Sequence, residues 1–347
     1  IICGMQFEVI KLNFLTPLHI GRGRDELDKS EHIYPSDSMK AAIYAIGRSS
    51  YPEWENQDRF FSDFRISSCF PYFQDELFFP RPLVNKVIRI TDDADAAGSA
   101  KRIKRIEYLS FPIFQDILDP DASDIFISRS DLSPDGAFVF SHNMRLNNES
   151  AERNKSSEVF MRSAIQQRVL VPGDGTNTRP FYIDRVYFAE GSGLFFLACF
   201  ENERIRLEVF NTLRILGETG IGTDRSVGNG LFEVVSTVDR PHFIDIRDNE
   251  SGTLQMPLGY YLPTEDEMDS IDLSASKWSL VKRGGYMAGS ENERHRHLLK
   301  RSIFMFNHGS AFTAKKKLLG KIAELKPEWN EAMHPVWRCG MPIIITV

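Results

Sequence analysis

Apolar positions in residues 5–16 fall into two phases. Phe7 and Val9 share one face of an extended chain, and Ile10, Leu12 and Phe14 share the other. The shift predicts a strand that either carries a bulge or is buried on both sides. Behind Ser36-Asp37-Ser38, apolar Met39, Ile43 and Ile46 recur at helical spacing, which predicts a capped short helix ending at Gly47. Residues 66–73 and 77–79 are apolar and aromatic around Gln74-Asp75-Glu76 and predict a hairpin. From Arg81 to about Asn154 the pattern degrades into an acidic, small-residue stretch, a basic run (Lys101-Arg102-Ile103-Lys104-Arg105) and a polar segment from His142 to Asn148. These features predict a long insertion, about 81–154, on a small scaffold. Strand-like composition returns over 159–171, 181–189 and 193–200. Asn202 is placed to cap a helix to about Leu216, with Val209, Phe210, Leu213 and Leu216 on one face, and a strand begins at Leu231.

Strand, helix and strand recur in both halves, with antiparallel hairpins between them. The order predicts an α+β chain of two ferredoxin-like (RRM-like) βαββαβ domains rather than a doubly wound sheet. The expected domains are residues 1–171, carrying the insertion, and residues 172–347.

Composition narrows the class. The 347 residues carry 42 Lys and Arg against 48 Asp and Glu, a net charge of −6. As a whole-chain description, a strongly basic nucleic-acid binder is excluded. The charge is segregated, however. Residues 239–272 hold nine acids and two bases, whereas residues 277–301 hold seven bases and two acids. The longest apolar run, Leu194 to Phe200, is far short of a membrane span. Cys3, Cys69, Cys199 and Cys339 are scattered without metal-ligand spacing, so reduced thiols in a soluble, cytoplasmic protein are expected. No cofactor motif is present, the N-terminus lacks signal-peptide character, and Met5 is a candidate natural start.

The strongest local signal is Gly217 to Gly230, with five glycines in fourteen residues. Such a loop lets backbone amides approach an anion, and Arg225 adds a charge. It follows a helix and precedes a strand, which fits neither a P-loop nor a dinucleotide-binding turn. A glycine-rich turn without a ligand is the plain alternative. The first loop, Thr16-Pro17-Leu18-His19-Ile20-Gly21-Arg22-Gly23-Arg24, also suits phosphate contact. Asn143, Arg145, Arg153 and Lys155 are the right types for phosphate and base contacts. Lys282-Arg283-Gly284-Gly285-Tyr286 joins charge to an aromatic that could stack on a base. Candidate anion sites in both halves favour an extended ligand, RNA, over one small nucleotide.

Four stretches, in order along nearly the whole chain, carry a resemblance to a known family. They are residues 16–24 with Ser36-Asp37-Ser38-Met39, residues 67–82, the glycine loop 217–230, and Lys282-Arg283-Gly284-Gly285-Tyr286 with residues 305–310. The sequence resembles the RAMP superfamily of CRISPR RNA-binding proteins. More narrowly, it resembles the subunit of the type III-A (Csm) effector complex that caps the 5′ end of the guide RNA. The resemblance implies a non-catalytic subunit holding the repeat-derived 5′ tag, with the large cyclase/nuclease subunit and the backbone RAMP subunit as partners and no membrane. It also implies a thumb that displaces a base near the tag–guide boundary, placed by position around His142 to Arg153. The candidate RNA-binding residues are Arg22, Arg24, Ser36, Asn143, Arg145, Gly220, Gly222, Asp224, Arg225, Ser226, Gly228, Lys282 and Arg283. Thr223 stands where many members have glycine. The alternatives are a guide-precursor endoribonuclease with His19 as base, the equivalent type III-B subunit, and a scaffold whose basic block 277–301 docks an acidic partner.

Overall fold

The computed structural model describes residues 7–21, 27–55, 57–92, 96–119, 121–122, 124–141, 159–171, 178–237, 254–287, 290, 292–328 and 334–346. The first strand, β1 (Glu8–Phe14), leads through a long loop to helix α1 (Ser36–Gly47). Helix α2 (Gln57–Ser62), β2 (Phe64–Ile66), β3 (Phe70–Phe73) and β4 (Glu76–Pro80) follow. Next come β5 (Ile88–Ile90), α3 (Ala96–Arg105), β6 (Tyr108–Ser110), α4 (Phe111–Leu118), β7 (Ile125–Ile127) and β8 (Phe138–Val139). The middle of the chain holds β9 (Met161–Leu170), β10 (Arg179–Phe188), β11 (Ser192–Phe200), α5 (Glu203–Thr219) and β12 (Phe232–Thr237). The last third holds β13 (Leu254–Pro257), α6 (Glu265–Ser270), β14 (Ile271–Lys277), β15 (Leu280–Arg283) and β16 (Ile303–Phe306). It ends with β17 (Ala311–Ala314), β18 (Ile322–Glu324), β19 (Trp337–Cys339) and β20 (Ile344–Thr346).

The main sheet runs β12-β1-β11-β3-β4-β6-β8, with β2 also on β11. An interior strand, β1, next to the edge strand β12, is buried on both faces without a bulge. Val9 enters one core, Ile10 and Leu12 enter the other, and the register to β11 is continuous from Glu8↔Ala198 to Leu12↔Leu194. Both helices that the periodicity predicts are present. Asn202 caps α5 by accepting from the Ile205 amide (3.0 Å). By contrast, α1 has Pro35 at its cap position, which offers no side-chain acceptor, and Ser36 and Asp37 lie in the first turn, where they bond distant partners. The β3–β4 hairpin pairs Phe73 with Glu76 around Gln74-Asp75, whereas Ser67 and Ser68 interrupt the strand before it.

Two expectations change. The main sheet crosses residue 171: β1 pairs with β11 and β12 and β3 pairs with β11, while β9 and β10 form a separate two-stranded ribbon. The strands 159–171 therefore close no domain. The long insertion is also more ordered than its sequence suggests over its described part. β6 and β8 extend the main sheet, and Leu109, Phe114, Phe138 and Val139 join its core. A second sheet, β14-β17-β13-β20, follows residue 254. It shares a core with the first, because Met256, Leu258, Ile343 and Ile345 pack with Phe70, Phe79 and Phe195. No described helix is long and apolar enough to cross a membrane.

Candidate nucleic-acid interface

Residues 15–20 and the glycine loop, some 200 positions apart, form one structure. The Thr223 amide and hydroxyl both donate to the His19 carbonyl (2.9 and 3.2 Å), and the Gly230 amide donates to Pro17 (2.8 Å). The Leu231 amide donates to the Thr16 hydroxyl (2.9 Å). This close approach explains the glycines. At Gly222 (φ +85°) a Cβ would lie 2.4 Å from the His19 carbonyl oxygen, and at Gly230 (φ +73°) it would lie 2.0 Å from that of Ile221. Gly220 is buried, while Gly228 faces open space. Thr223 does not interrupt this arrangement, since its side chain helps to bind the first loop. At the tip, Asp224 takes a left-handed conformation (φ 61°), and Arg225 and Ser226 are exposed.

The β9–β10 ribbon packs beside this loop pair. Leu18 bridges Val186, and the Asp184 carboxylate accepts from the Ser30 amide and the Ser163 hydroxyl. Asp224 is an internal anchor: Arg168 donates to its carboxylate at 3.0 Å, and Arg185 lies at 4.0 Å. It is therefore set to orient the loop and its two arginines rather than to touch an anion. Arg162 and Arg179 are exposed on the ribbon, among exposed Ile165, Val169 and Tyr182. Sequence reasoning missed these cations. Their signal lay in basic residues interleaved with aromatics, Arg162 pairing with Tyr187 and Arg168 with Phe181.

His19 is fully buried, and its Nδ1 donates to the Asp184 carbonyl (2.6 Å). Its position is that of a brace between loop and ribbon.

The basic block contributes differently than expected. Arg283 is not a free cation: its side chain is 22% exposed, but it grips both oxygens of Asp37 (3.1 Å each), donates to the Ser38 hydroxyl and lies over the Tyr260 ring. Arg338 donates to the same carboxylate and to the Gly284 carbonyl. Asp37, with no exposed side chain, thus ties the start of α1 to the C-terminal third. Burial alone would raise its carboxyl, but Arg338 and Arg283 outweigh burial and hold it below the ordinary range. Ser36 is likewise internal at 5% exposure, accepting from the Tyr260 amide (3.1 Å), and so is not at the surface expected for RNA contact. Lys282 is exposed, opposite Phe304, which is 62% exposed. Arg22, Arg24, Asn143 and Arg145, and the stretch His142 to Arg153, lie outside the described residues.

Lys300 belongs to the same cluster. Burial first, then Arg338, lower its ammonium from 10.5 to about 7, against the pull of Asp37. Between those values the unfolded chain holds the proton and the folded chain does not, so stability rises with pH across that window. Thermal melts from pH 7 to 9 are expected to show this rise, and Lys300→Met is expected to flatten it. An unchanged slope in the variant removes Lys300 from the cluster.

Among the described residues, no three His, Cys, Asp or Glu side chains are placed to hold a metal. The arrangement is a folded basic surface whose glycine loop, first loop and ribbon meet, with a carboxylate-locked junction beside it.

Residues 11–233 match the family model of the RAMP superfamily. The chain belongs to that superfamily. Residues 250–347 match the CRISPR Csm4 C-terminal domain, so the two matches part between the two sheets. Two curated relatives bear the name CRISPR system Cms protein Csm4. One, from Methanocaldococcus jannaschii, is 22% identical over 98% of this RAMP chain and 97% of its own length. The other, from Thermococcus onnurineus, is 26% identical over 76% and 77%. Among solved structures, a chain of the Csm3–Csm4 subcomplex of a type III-A CRISPR-Cas interference complex has the same fold. Its TM-score is 0.65 at 18% identity, covering 99% of both chains. A chain of a Csm1–Csm4 cassette bound to cA4 follows at TM-score 0.57 and 18% identity, covering 99% and 98%.

Proposed function

We propose that this RAMP protein is a Csm4-type subunit of a type III-A CRISPR effector complex, a non-catalytic cytoplasmic protein that caps the 5′ tag of the guide RNA. In that role it bridges the large cyclase/nuclease subunit and the backbone subunit. The observation that carries the reading is the convergence of the glycine loop, the first loop and the arginine-bearing ribbon on one surface. Phosphates are assigned to Arg225, Lys282 and the ribbon cations, with the loop backbone, and bases are stacked or splayed by aromatics. Burial of His19 argues against the endoribonuclease alternative.

Both sheets support two ferredoxin-like units. Counted along the chain, the first sheet places its fourth, first, third and second strands side by side, as β12-β1-β11-β3. The second, β20-β13-β17-β14, repeats that order. The units then span about 8–237 and 254–346, and β9–β10 is a projecting arm of the first. That arm, following directly on the expected thumb segment, is assigned to splaying RNA.

Arg225→Ala combined with Lys282→Ala is expected to weaken tag-RNA binding and to reduce the slope of log affinity against log salt by about 0.7 for each phosphate no longer neutralised. A filter-binding series at several salt concentrations checks this, and an unchanged slope removes both residues from the interface. Arg283→Ala is a poor probe of phosphate binding, because it also uncovers Asp37. Purification of the native complex with sequencing of its RNA tests the whole reading: a common 5′ tag on heterogeneous guides is expected.

A further inference from the structure

A cleft of about 810 Å³ opens where the ordered insertion meets the second sheet, lined by Arg81, Lys277, Trp278, Asn307, His308 and one acid, Glu107, among others. It is distinct from the glycine loop. The register places Leu12, Leu194, Ser192, Phe73 and Glu76 toward one end of the strands, and Pro80 and Tyr108 at the other. The glycine loop adjoins the first end and the cleft adjoins the second.

Its chemistry is specific. The Trp278 indole is 43% exposed, an unusual state for a large ring in a concave wall, and an edge contact with Phe306 holds it (5.7 Å, 81°). Arg81 is fixed on the Ile103 carbonyl (2.6 Å), and the Lys277 ammonium lies 3.5 Å from that of Val84. Asn307 Oδ1 and His308 Nδ1 are buried polar atoms with no hydrogen-bond partner. Burial lowers His308 to about 4, so its ring is neutral near pH 7 and competes with neither cation for an anion. A purely aliphatic ligand would leave these groups unpaired, and a simple anion would leave the indole unused. The volume lies in the range of small-molecule sites.

We propose that this cleft binds one nucleotide unit, its base stacked on Trp278 and hydrogen-bonded by Asn307 and His308, its phosphate facing Arg81 and Lys277. The site does not rest on the RNA-capping role above, because the unit can be a free nucleotide or one residue of a single strand. Titration of the full chain with AMP, and photocrosslinking of a single-stranded RNA octamer carrying 4-thiouridine, separate the two sources. Trp278→Ala is expected to weaken the bound probe at least tenfold with an unchanged melting temperature, and Trp278→Phe to restore most of it. Arg225→Ala is expected to leave AMP binding intact. Binding of AMP marks a free nucleotide, and a crosslink to Trp278 without AMP binding marks an RNA residue. The proposal is overturned if neither probe engages the wild-type chain at Trp278, or if Trp278→Ala binds both as well as wild type.

Discussion

Asp37→Ala is expected to destabilise the protein by about 3–5 kcal/mol, because it leaves the Arg283 and Arg338 guanidiniums in a buried setting without their counter-charge. With an unfolding entropy of about 2.1 cal/mol/K per residue, that corresponds to a fall of roughly 4–7 °C if the chain unfolds as one unit. Arg283→Ala should cost less, since Arg338 remains on the carboxylate. The double variant should cost less than the two singles together, as expected for coupled partners. The pH dependence has a definite sign. Asp37 has a depressed folded value, so its contribution is full above the ordinary carboxylate range and is lost as pH falls through that folded value. Calorimetry of the three variants checks the argument. A loss below about 1 kcal/mol for Asp37→Ala would mean an ordinary surface-type ion pair.

Gly230→Val is expected to have the second largest effect. The residue is held at φ +73°, its amide donates to Pro17, and its carbonyl accepts from Ile221 (3.0 Å). A side chain adds left-handed strain of about 1–3 kcal/mol and strikes the Ile221 carbonyl, so the loop must leave the first loop. A fall in tag-RNA affinity of more than tenfold should accompany the loss of stability, because Arg225 moves with the loop. Gly228→Ala is the control: its φ is also positive (+80°), but a Cβ there meets nothing within 4 Å. It should cost about 1–2 kcal/mol for the conformation alone and leave RNA binding largely intact. If Gly230→Val keeps both affinity and salt slope, the glycine loop is not the RNA surface.

Periodicity made the local elements legible. Met39 and Ile43 located α1, the Asn202 cap with Val209, Leu213 and Leu216 located α5, and the two phases of β1 left a bulge or double burial open, of which the structure shows the second. What local pattern could not reveal was pairing over distance. β1 finds β11 and β12 nearly 200 residues later, so a boundary inferred from composition fell inside one sheet. Within the insertion, β5, β6 and β7 are three residues each, too short to show a period, and α3 offers Ile103 as its one large apolar side chain. The same limit governed the site. Glycine density singled out the loop 217–230, but not its meeting with residues 15–20. Arg283 resembled a free phosphate ligand because its partner, Asp37, is 246 positions away. Ser36 and Asp37 matched a helix cap, yet the helix begins one residue earlier than that, with Pro35 at the cap, and both side chains bond distant partners instead. Arg168 and Arg185 passed as strand filler because Asp224, which they anchor, lies on another element.

The position of β1 between β11 and β12 also sets a timetable. An apolar strand near the N-terminus cannot acquire either neighbour until residues 192–200 and 232–237 have left the ribosome. At about 5–20 residues per second, that wait is roughly ten to forty seconds, during which Val9, Ile10 and Leu12 have no native strand to pair with. Folding of the first unit is therefore expected to wait until β12 has emerged.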